Sequence, residues 1–154
     1  MGKIRDMKKP GKKWLIIGVL AAAAIAAGAY FVCADKGQNV EFKVLSESEY
    51  PQEISNEVIP EYRTLERALA CVVDEKVYVI VTRGEKPASG YKVGIDKMKL
   101  VTEDGKENLV VYASFRDPAK GNSMSQVLTY PVKVAQTGLK RLPDEIELRV
   151  QYEE

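Results

Sequence analysis

A run of 21 residues without a charged side chain, residues 14–34, constrains this 154-residue chain more than any other feature. At about 1.5 Å per residue, a helix of this length spans about 30 Å, the thickness of the hydrocarbon core of a bilayer. Its Leu, Ile, Val and Phe side chains favour insertion, and no charge opposes it. Trp14 and Tyr30 stand near its two ends, where aromatic rings prefer the membrane interface. We therefore predict a single transmembrane helix over residues 14–34.

The charges around this run predict its orientation. Six of the 23 basic residues and one of the 22 acidic residues precede it, and the positive-inside rule keeps such a segment in the cytoplasm. The predicted order is a basic cytoplasmic tip (1–13), a signal-anchor helix (14–34), a short polar tether (35–40) and an extracytoplasmic domain (41–154). The chain is thus expected in the cell membrane as a single-pass protein, with the lipid bilayer as its first partner.

The same run is compatible with two other fates. A signal peptide cleaved after Ala34 would release the domain, but the run is longer than the roughly 7–15 apolar residues of most signal peptides. Lipid modification of Cys33 is disfavoured, because lipoprotein signals have small residues just before the modified cysteine and this chain has the bulky Tyr30, Phe31 and Val32 there. All three alternatives place the domain outside the cytoplasm.

Composition argues against several classes of site. The chain has no histidine, so the commonest general base and the commonest metal ligand are missing. Its two cysteines cannot build a zinc cluster; Cys33 is predicted at the membrane surface and Cys71 as a buried thiol. The part of the chain after residue 34 is mildly acidic, which argues against a nucleic-acid partner. We predict no cofactor and no metal site.

A helical pattern precedes the strands. Pro60 suits a first helical turn, where its missing N–H costs nothing. After it, apolar side chains recur at helical spacing, namely Tyr62, Leu65, Ala68, Leu69 and Val72. The pattern predicts one amphipathic helix over residues 60–72, following a loop over residues 46–57.

From residue 76 onward the apolar period changes to two, which predicts strands. KVYVIVTRG is dense in β-branched residues and predicts a central strand. YKVGIDKMKLV changes register near Asp96 and Lys97, which predicts a bulge, and EDGK carries the Asp-Gly signature of a hairpin. Because proline cannot donate a ladder hydrogen bond, Pro131 predicts that QVLTYPVKVAQ is an edge or bulged strand. In EIELRVQY apolar and polar side chains alternate regularly, which predicts a further strand. With a short strand at 41–45, the chain is predicted to be mainly β, an antiparallel sandwich or small barrel with one N-terminal helix and α+β as the alternative.

The stretch GEKPASGYKV, residues 84–93, raises the question of catalysis. Ser89 and Lys92 have the S-x-x-K spacing of penicillin-recognising enzymes. The alternation after Gly90 predicts a strand, on which residues three apart point to opposite faces, so the two side chains would not meet. The companion motifs of those enzymes are missing as well. We therefore predict a turn between two strands, no catalytic residue and no enzyme.

The same stretch resembles the PrcB C-terminal domain family, which is named after a subunit of a bacterial surface protease complex. The likeness consists of a hydrophobic strand, a glycine, a Lys-Pro pair, a Gly-Tyr pair and an alternating strand, followed by LVVYASFRDPAKG and TYPVKV, over about residues 76–136. The resemblance implies a non-catalytic, extracytoplasmic, β-rich domain. Its motif positions, expected to form a structural turn, are Gly84, Lys86, Pro87, Ser89, Gly90 and Tyr91.

Two functions are compatible with these features. The first is an accessory or interaction domain that stabilises or assembles an exported protease or another surface protein, with Thr129, Tyr130 and Pro131 as a candidate interaction edge. The alternative is a small-ligand or cell-wall-binding module with a stacking surface of exposed rings. Those rings are Tyr78, Tyr91, Tyr112 and Tyr130. A carboxylate-based hydrolase would require a buried pair of acids with perturbed pKa values.

Overall fold

The computed structural model describes residues 24–25, 37–121 and 124–153. Within them, short helical segments at Glu47–Glu49, Ile54–Val58 and α1 (Ile59–Tyr62) lie between the third and fourth of nine strands. The strands are β1 (Ala24–Ile25), β2 (Gln38–Asn39), β3 (Phe42–Val44), β4 (Glu66–Val73), β5 (Lys76–Arg83), β6 (Lys92–Glu103), β7 (Lys106–Arg116), β8 (Val132–Thr137) and β9 (Glu145–Glu153).

The strands form two sheets, which confirms the prediction of a mainly β fold. The first sheet has the order β3-β8-β5-β4, and each of its pairs is antiparallel. The second has the order β1-β9-β7-β6-β2, in which β9 runs parallel to β7. Antiparallel pairing was therefore wrong for β9. Between β7 and β9 the chain passes through β8 in the first sheet, and a long crossover of this kind brings a strand back parallel.

The two sheets pack face to face, because one buried apolar cluster draws side chains from both. Strands β4, β5 and β8 of the first sheet and β6, β7 and β9 of the second contribute to it, and Phe115 within it is fully buried. This arrangement is a sandwich. The chain passes directly from β2 in the second sheet to β3 in the first. Between these two strands, the Val40 N–H donates to the Met98 carbonyl at 3.0 Å.

The helical segment lies earlier in the chain than predicted. Residues Ile54–Val58 form a π-helical turn that continues into α1, and the buried side chains of Ile54 and Val58 pack on the outer face of the first sheet. The predicted helix over 60–72 is correct at its start, where Pro60 lies in the first turn of α1. It is wrong from residue 66 onward, because all eight residues of β4 pair with β5. The predicted loop over 46–57 is wrong where this helical segment occupies it.

The short-range turn predictions are confirmed. The register of β6 against β7 shifts between Ile95 and Lys97, where the bulge was expected. The β6–β7 turn has Asp104 at φ 53° and Gly105 at φ 78°, as a type I′ hairpin turn requires. Cys71 is free and buried, also as predicted.

Most of the N-terminal predictions lie outside the described residues, namely the basic tip, Cys33 and all of the predicted span except Ala24–Ile25. These two residues lie parallel to β9, opposite Leu148 and Arg149. Within the predicted tether, Gln38–Asn39 form β2, an antiparallel edge strand on β6, so this part of the chain belongs to the folded domain. None of the helices in the described ranges is both long enough and apolar enough to cross a bilayer.

Candidate functional site

Several strand ends converge at one end of the sandwich. β5 ends at Arg83 and β6 begins at Lys92, so residues 84–91 connect the two sheets there. β7 ends at Arg116 and β8 begins at Val132, which makes residues 117–131 the return connection. We call this region the arginine end. It comprises residues 63–67, 83–92, 116–121, 124–131 and 152–153.

The side chain of Arg83 crosses from the first sheet to the second. Its guanidinium is 3% exposed and forms an ion pair with the carboxylate of Asp117. Nη1 donates to the carbonyl of Lys92 at 3.2 Å and to that of Arg116 at 2.9 Å. These two residues face each other at the ends of β6 and β7. Arg83 therefore ties the end of β5 to the opposite sheet by charge-assisted hydrogen bonds.

Aromatic rings complete the surroundings of this guanidinium. Its carbon Cζ lies 5.2 Å from the ring centre of Tyr91 and 4.9 Å from that of Phe115, within the range of cation–π attraction. Tyr152 packs edge-to-face on Phe115, with ring centres 5.7 Å apart at 84°. The buried charge is thus stabilised by an acid, two carbonyls and two ring faces.

The two connections at the arginine end are bonded to each other. Lys86 and Thr129 exchange backbone hydrogen bonds of 2.8 and 2.9 Å. The Ser89 N–H donates to the Ser125 carbonyl at 3.0 Å, and the Ser125 N–H donates back to Ser89 Oγ at 3.0 Å. The Thr129 hydroxyl donates to the Ala88 carbonyl at 2.8 Å. These bonds dock residues 84–91 onto residues 124–129.

Gly90 is required by this docking for two reasons. Its φ of 98° lies in the region that favours glycine. A Cβ atom on it would lie 2.9 Å from Cβ of Pro118, well inside ordinary carbon–carbon contact. Gly84, also a motif position, has φ 86° where the chain leaves β5.

The motif residues identified from sequence are all at the arginine end, where the backbone of Lys86 and Ser89 forms internal hydrogen bonds. Ser89 Oγ accepts the Ser125 N–H, and the carbonyl of Lys92 accepts from Arg83. Pro87 is exposed, and Lys86 has its ammonium 5.7 Å from the ring centre of Tyr91. No described set of three or more His, Cys, Asp or Glu side chains is grouped so that it could hold a metal ion.

The strand predicted around Pro131 was expected to be an edge or bulged strand, with Thr129, Tyr130 and Pro131 as a candidate interaction edge. β8 is an interior strand between β3 and β5, not an edge strand. Before it, Thr129 is paired with Lys86, and the Pro131 carbonyl accepts the Arg83 N–H at 3.0 Å. Strand addition at these residues would have to displace those bonds. One face of the Tyr130 ring is already covered, since the guanidinium carbon of Arg63 lies 4.2 Å from the ring centre.

The four tyrosines do not form one stacking surface. Tyr78 packs under the helical segment on the outer face of the first sheet, and Tyr112 is buried in the second sheet. Tyr91 and Tyr130 alone belong to the arginine end, and both are half-buried. The sequence placed each tyrosine on a strand, but it did not indicate to which of the two sheets that strand belongs.

Local chemistry shifts the pKa values of two tyrosines at this end. The Tyr130 hydroxyl donates to Glu85 Oε2 at 2.9 Å, and this bond raises the pKa of Tyr130. Desolvation raises the pKa of Tyr152, and the nearby carboxylate of Glu66 adds to the effect. Both phenols therefore stay protonated donors at neutral pH.

Arg83, Asp117 and Phe115 were not singled out from sequence. The available signal was the lone arginine that ends the apolar run VYVIVTR at a position where the sheet is buried on both faces. A charge that closes such a strand must find partners or leave the core. Asp117, its partner, lies 34 positions later in the chain, and no local pattern connects the two.

A known family model covers the part of the chain that contains both connections. The family model described as PrcB C-terminal matches residues 77–137. The match begins in β5 and ends with β8, so it includes both connections at the arginine end. It confirms the resemblance drawn from the motif. No curated protein and no solved structure matched the chain.

Proposed function

We propose that this chain, whose residues 77–137 belong to the PrcB C-terminal family, is a non-catalytic accessory protein that stabilises or assembles an exported protein complex. The observation that carries the proposal is the hydrogen bonding of the family motif within the domain. The Ser89 hydroxyl and the backbone of Lys86 and Ser89 are engaged in bonds within the domain, and so is the carbonyl of Lys92 that follows the motif. Such a motif holds the two connections together and supports a rigid surface.

An exported protease is the first candidate partner. The support is the name of the family, which denotes a subunit of a surface protease complex, together with the predicted export of the domain. Family membership transfers a role poorly when it stands alone.

Anchoring by residues 14–34 is part of the proposal. The basic tip and the uncharged run support it. Anchoring requires Ala24–Ile25 to lie in the bilayer and not beside β9, where the structure has them. The two arrangements exclude each other, so the mass and location of the native chain decide between them.

The alternative function is a ligand- or cell-wall-binding module. The observation in its favour is the pair of half-buried rings at the arginine end, Tyr91 and Tyr130. The cations Arg83 and Arg63 already lie over these rings, which reduces the ring area open to a ligand. The accessory role is the better supported of the two.

The test is gentle detergent extraction of the tagged full-length chain from its own membranes. Mass spectrometry then identifies what co-purifies and measures the intact mass. A stoichiometric exported protease supports the accessory role, and a full-length mass supports the anchor. Recovery of the chain alone contradicts a stable complex and favours the ligand-binding alternative. A mass that begins at Asp35 contradicts the anchor.

A further inference from the structure

Exposed apolar side chains are concentrated at the arginine end. Among the described residues, five large apolar side chains are exposed, and only Val44 of these lies elsewhere. The other four are Leu128 (59%), Val127 (53%), Tyr152 (53%) and Leu65 (43%). Exposed apolar groups that collect at one place on a small domain indicate a contact surface.

These four residues lie around a common centre. Glu66, which follows Leu65, pairs with Arg83. A Cβ atom added to Gly84 would lie 3.5 Å from the Thr64 carbonyl oxygen, so the two segments run close together. On the other side of the same connection, Thr129, which follows Leu128, pairs with Lys86. Tyr152 reaches the centre through its contact with Phe115, beside the guanidinium of Arg83. Hydrogen bonds and ring contacts hold all three segments in place.

The charge of this end is opposite to that of the rest of the domain. In the arginine end, seven side chains are basic and four are acidic, whereas the remaining described residues have nine basic and 15 acidic side chains. The asymmetry gives the molecule a basic pole. The exposed cations of this end, the rim cations, are Arg63, Lys92, Arg116 and Lys120. Arg116 is paired with Glu153 at 2.7 Å.

The chain enters the domain far from this pole. Gln38, in the first strand after β1, pairs with Leu100 near the β6–β7 hairpin. Leu100 lies eight positions after Lys92 along β6, which corresponds to roughly 25 Å. If residues 14–34 span the membrane, the hairpin faces the bilayer and the basic pole points away from it. This orientation favours a protein over a lipid surface as the occupant.

We propose that the arginine end is the docking surface for an acidic, apolar-centred face of a second exported protein. The inference rests on the proposed accessory function and assigns its contact surface. Leu65, Leu128 and Tyr152 supply the apolar contacts, since aromatic and large apolar anchors dominate interface energies. The rim cations steer the approach of a negatively charged face and set its orientation.

The test is site-specific photo-crosslinking of the full-length chain in its native membranes. A benzophenone side chain replaces Leu128 or Tyr152, and Thr102, exposed beside the β6–β7 hairpin, is the matched control. The expected result is capture of one and the same protein from residues 128 and 152, and none from residue 102. With that protein purified, Lys92→Glu combined with Lys120→Glu should weaken its binding about tenfold. The control pair Lys106→Glu and Lys140→Glu, at the opposite end, should leave binding unchanged.

Each other result has a defined meaning. Capture of a protein from residue 102 alone overturns the docking surface but leaves the accessory function standing. Capture of lipid alone, or of a second copy of the chain alone, from residue 128 also overturns it. No protein captured from any of the three positions contradicts both proposals. Equal loss of binding in both charge-reversed pairs contradicts the basic pole as the site of contact.

Discussion

Substitution of Gly90 by alanine provides the sharpest test of how the two connections meet. The change adds one methyl group at φ 98°, where it would lie 2.9 Å from Cβ and 3.3 Å from Cγ of Pro118. Gly105 is the matched control, because it also has a positive φ, 78°, yet no atom lies within 4 Å of the position that an added methyl group would take. Both glycines are exposed and lie in turns between strands.

The expected magnitudes follow from these two environments. A Cβ in the left-handed region costs about 1–2 kcal/mol, and this cost applies to both variants. At Gly90 the contact with a rigid proline ring adds about 1–3 kcal/mol of overpacking. Gly90→Ala should therefore lower the free energy of unfolding by about 2–5 kcal/mol and Gly105→Ala by about 1–2 kcal/mol. The entropy lost by the unfolded chain is the same in both variants and cancels in the comparison.

Equilibrium urea unfolding of the full-length protein, followed by far-UV circular dichroism, measures the difference. With a slope of about 1–3 kcal/mol per molar urea, an extra 2 kcal/mol lowers the midpoint by about 1 M. Trypsin cleavage after Lys120 should also become faster in Gly90→Ala alone, since the docked connection is loosened. Equal midpoints for the two alanine variants would refute the close contact between Gly90 and Pro118.

Three further results are expected. Asp117→Asn should lower the free energy of unfolding by about 1–3 kcal/mol, because the buried guanidinium of Arg83 loses its charged acceptor. The control Glu153→Gln, in an exposed pair, should lower it by less than about 1 kcal/mol. Similar losses in the two variants would contradict a buried ion pair between Arg83 and Asp117. Burial raises the pKa of the Cys71 thiol from 9.0 to about 12, because the folded state favours the neutral thiol. The contribution of this thiol to the free energy of unfolding is therefore complete below pH 9. It is lost as the pH rises towards 12, by about 1.4 kcal/mol per pH unit. Unfolding measured from pH 8 to 10.5 should therefore show a weaker decline in Cys71→Ala than in the parent chain, and parallel curves would contradict this. Thr82→Val removes a buried hydroxyl that donates to the Leu65 carbonyl at 2.6 Å and should cost about 1 kcal/mol in thermal unfolding, while no loss would contradict that bond.

The strands of the family segment were predictable because their signals are local. β5 is a dense β-branched run, and the β6–β7 hairpin has its Asp-Gly turn at the expected place. The bulge after Ile95 followed from a change in alternation along one strand. Each of these features depends on neighbours within a few residues, which a sequence pattern contains.

The helix was misplaced because two periods compete over the same residues. Leu65, Leu69 and Val72 fit a helical stripe, but residues 66–73 pair along their whole length with β5. Both faces of this sheet are covered, one by the second sheet and the other by Ile54–Val58. A strand buried on both faces loses the simple alternation that would identify it. The decision therefore depended on a partner strand and a covering helix, and not on the segment itself.

By itself, the sequence determined the mainly β class, the β6–β7 turn, the buried Cys71 thiol and the resemblance that the family model over residues 77–137 bears out. The tertiary structure alone decided that β9 runs parallel to β7, that β8 is interior, and that Arg83 reaches Asp117 across the sandwich. The physical reason is the range of the interactions. Turn chemistry and side-chain periodicity act over a few residues, whereas sheet order and the pairing of a buried charge are settled only when distant segments compete for the same core and the same hydrogen bonds.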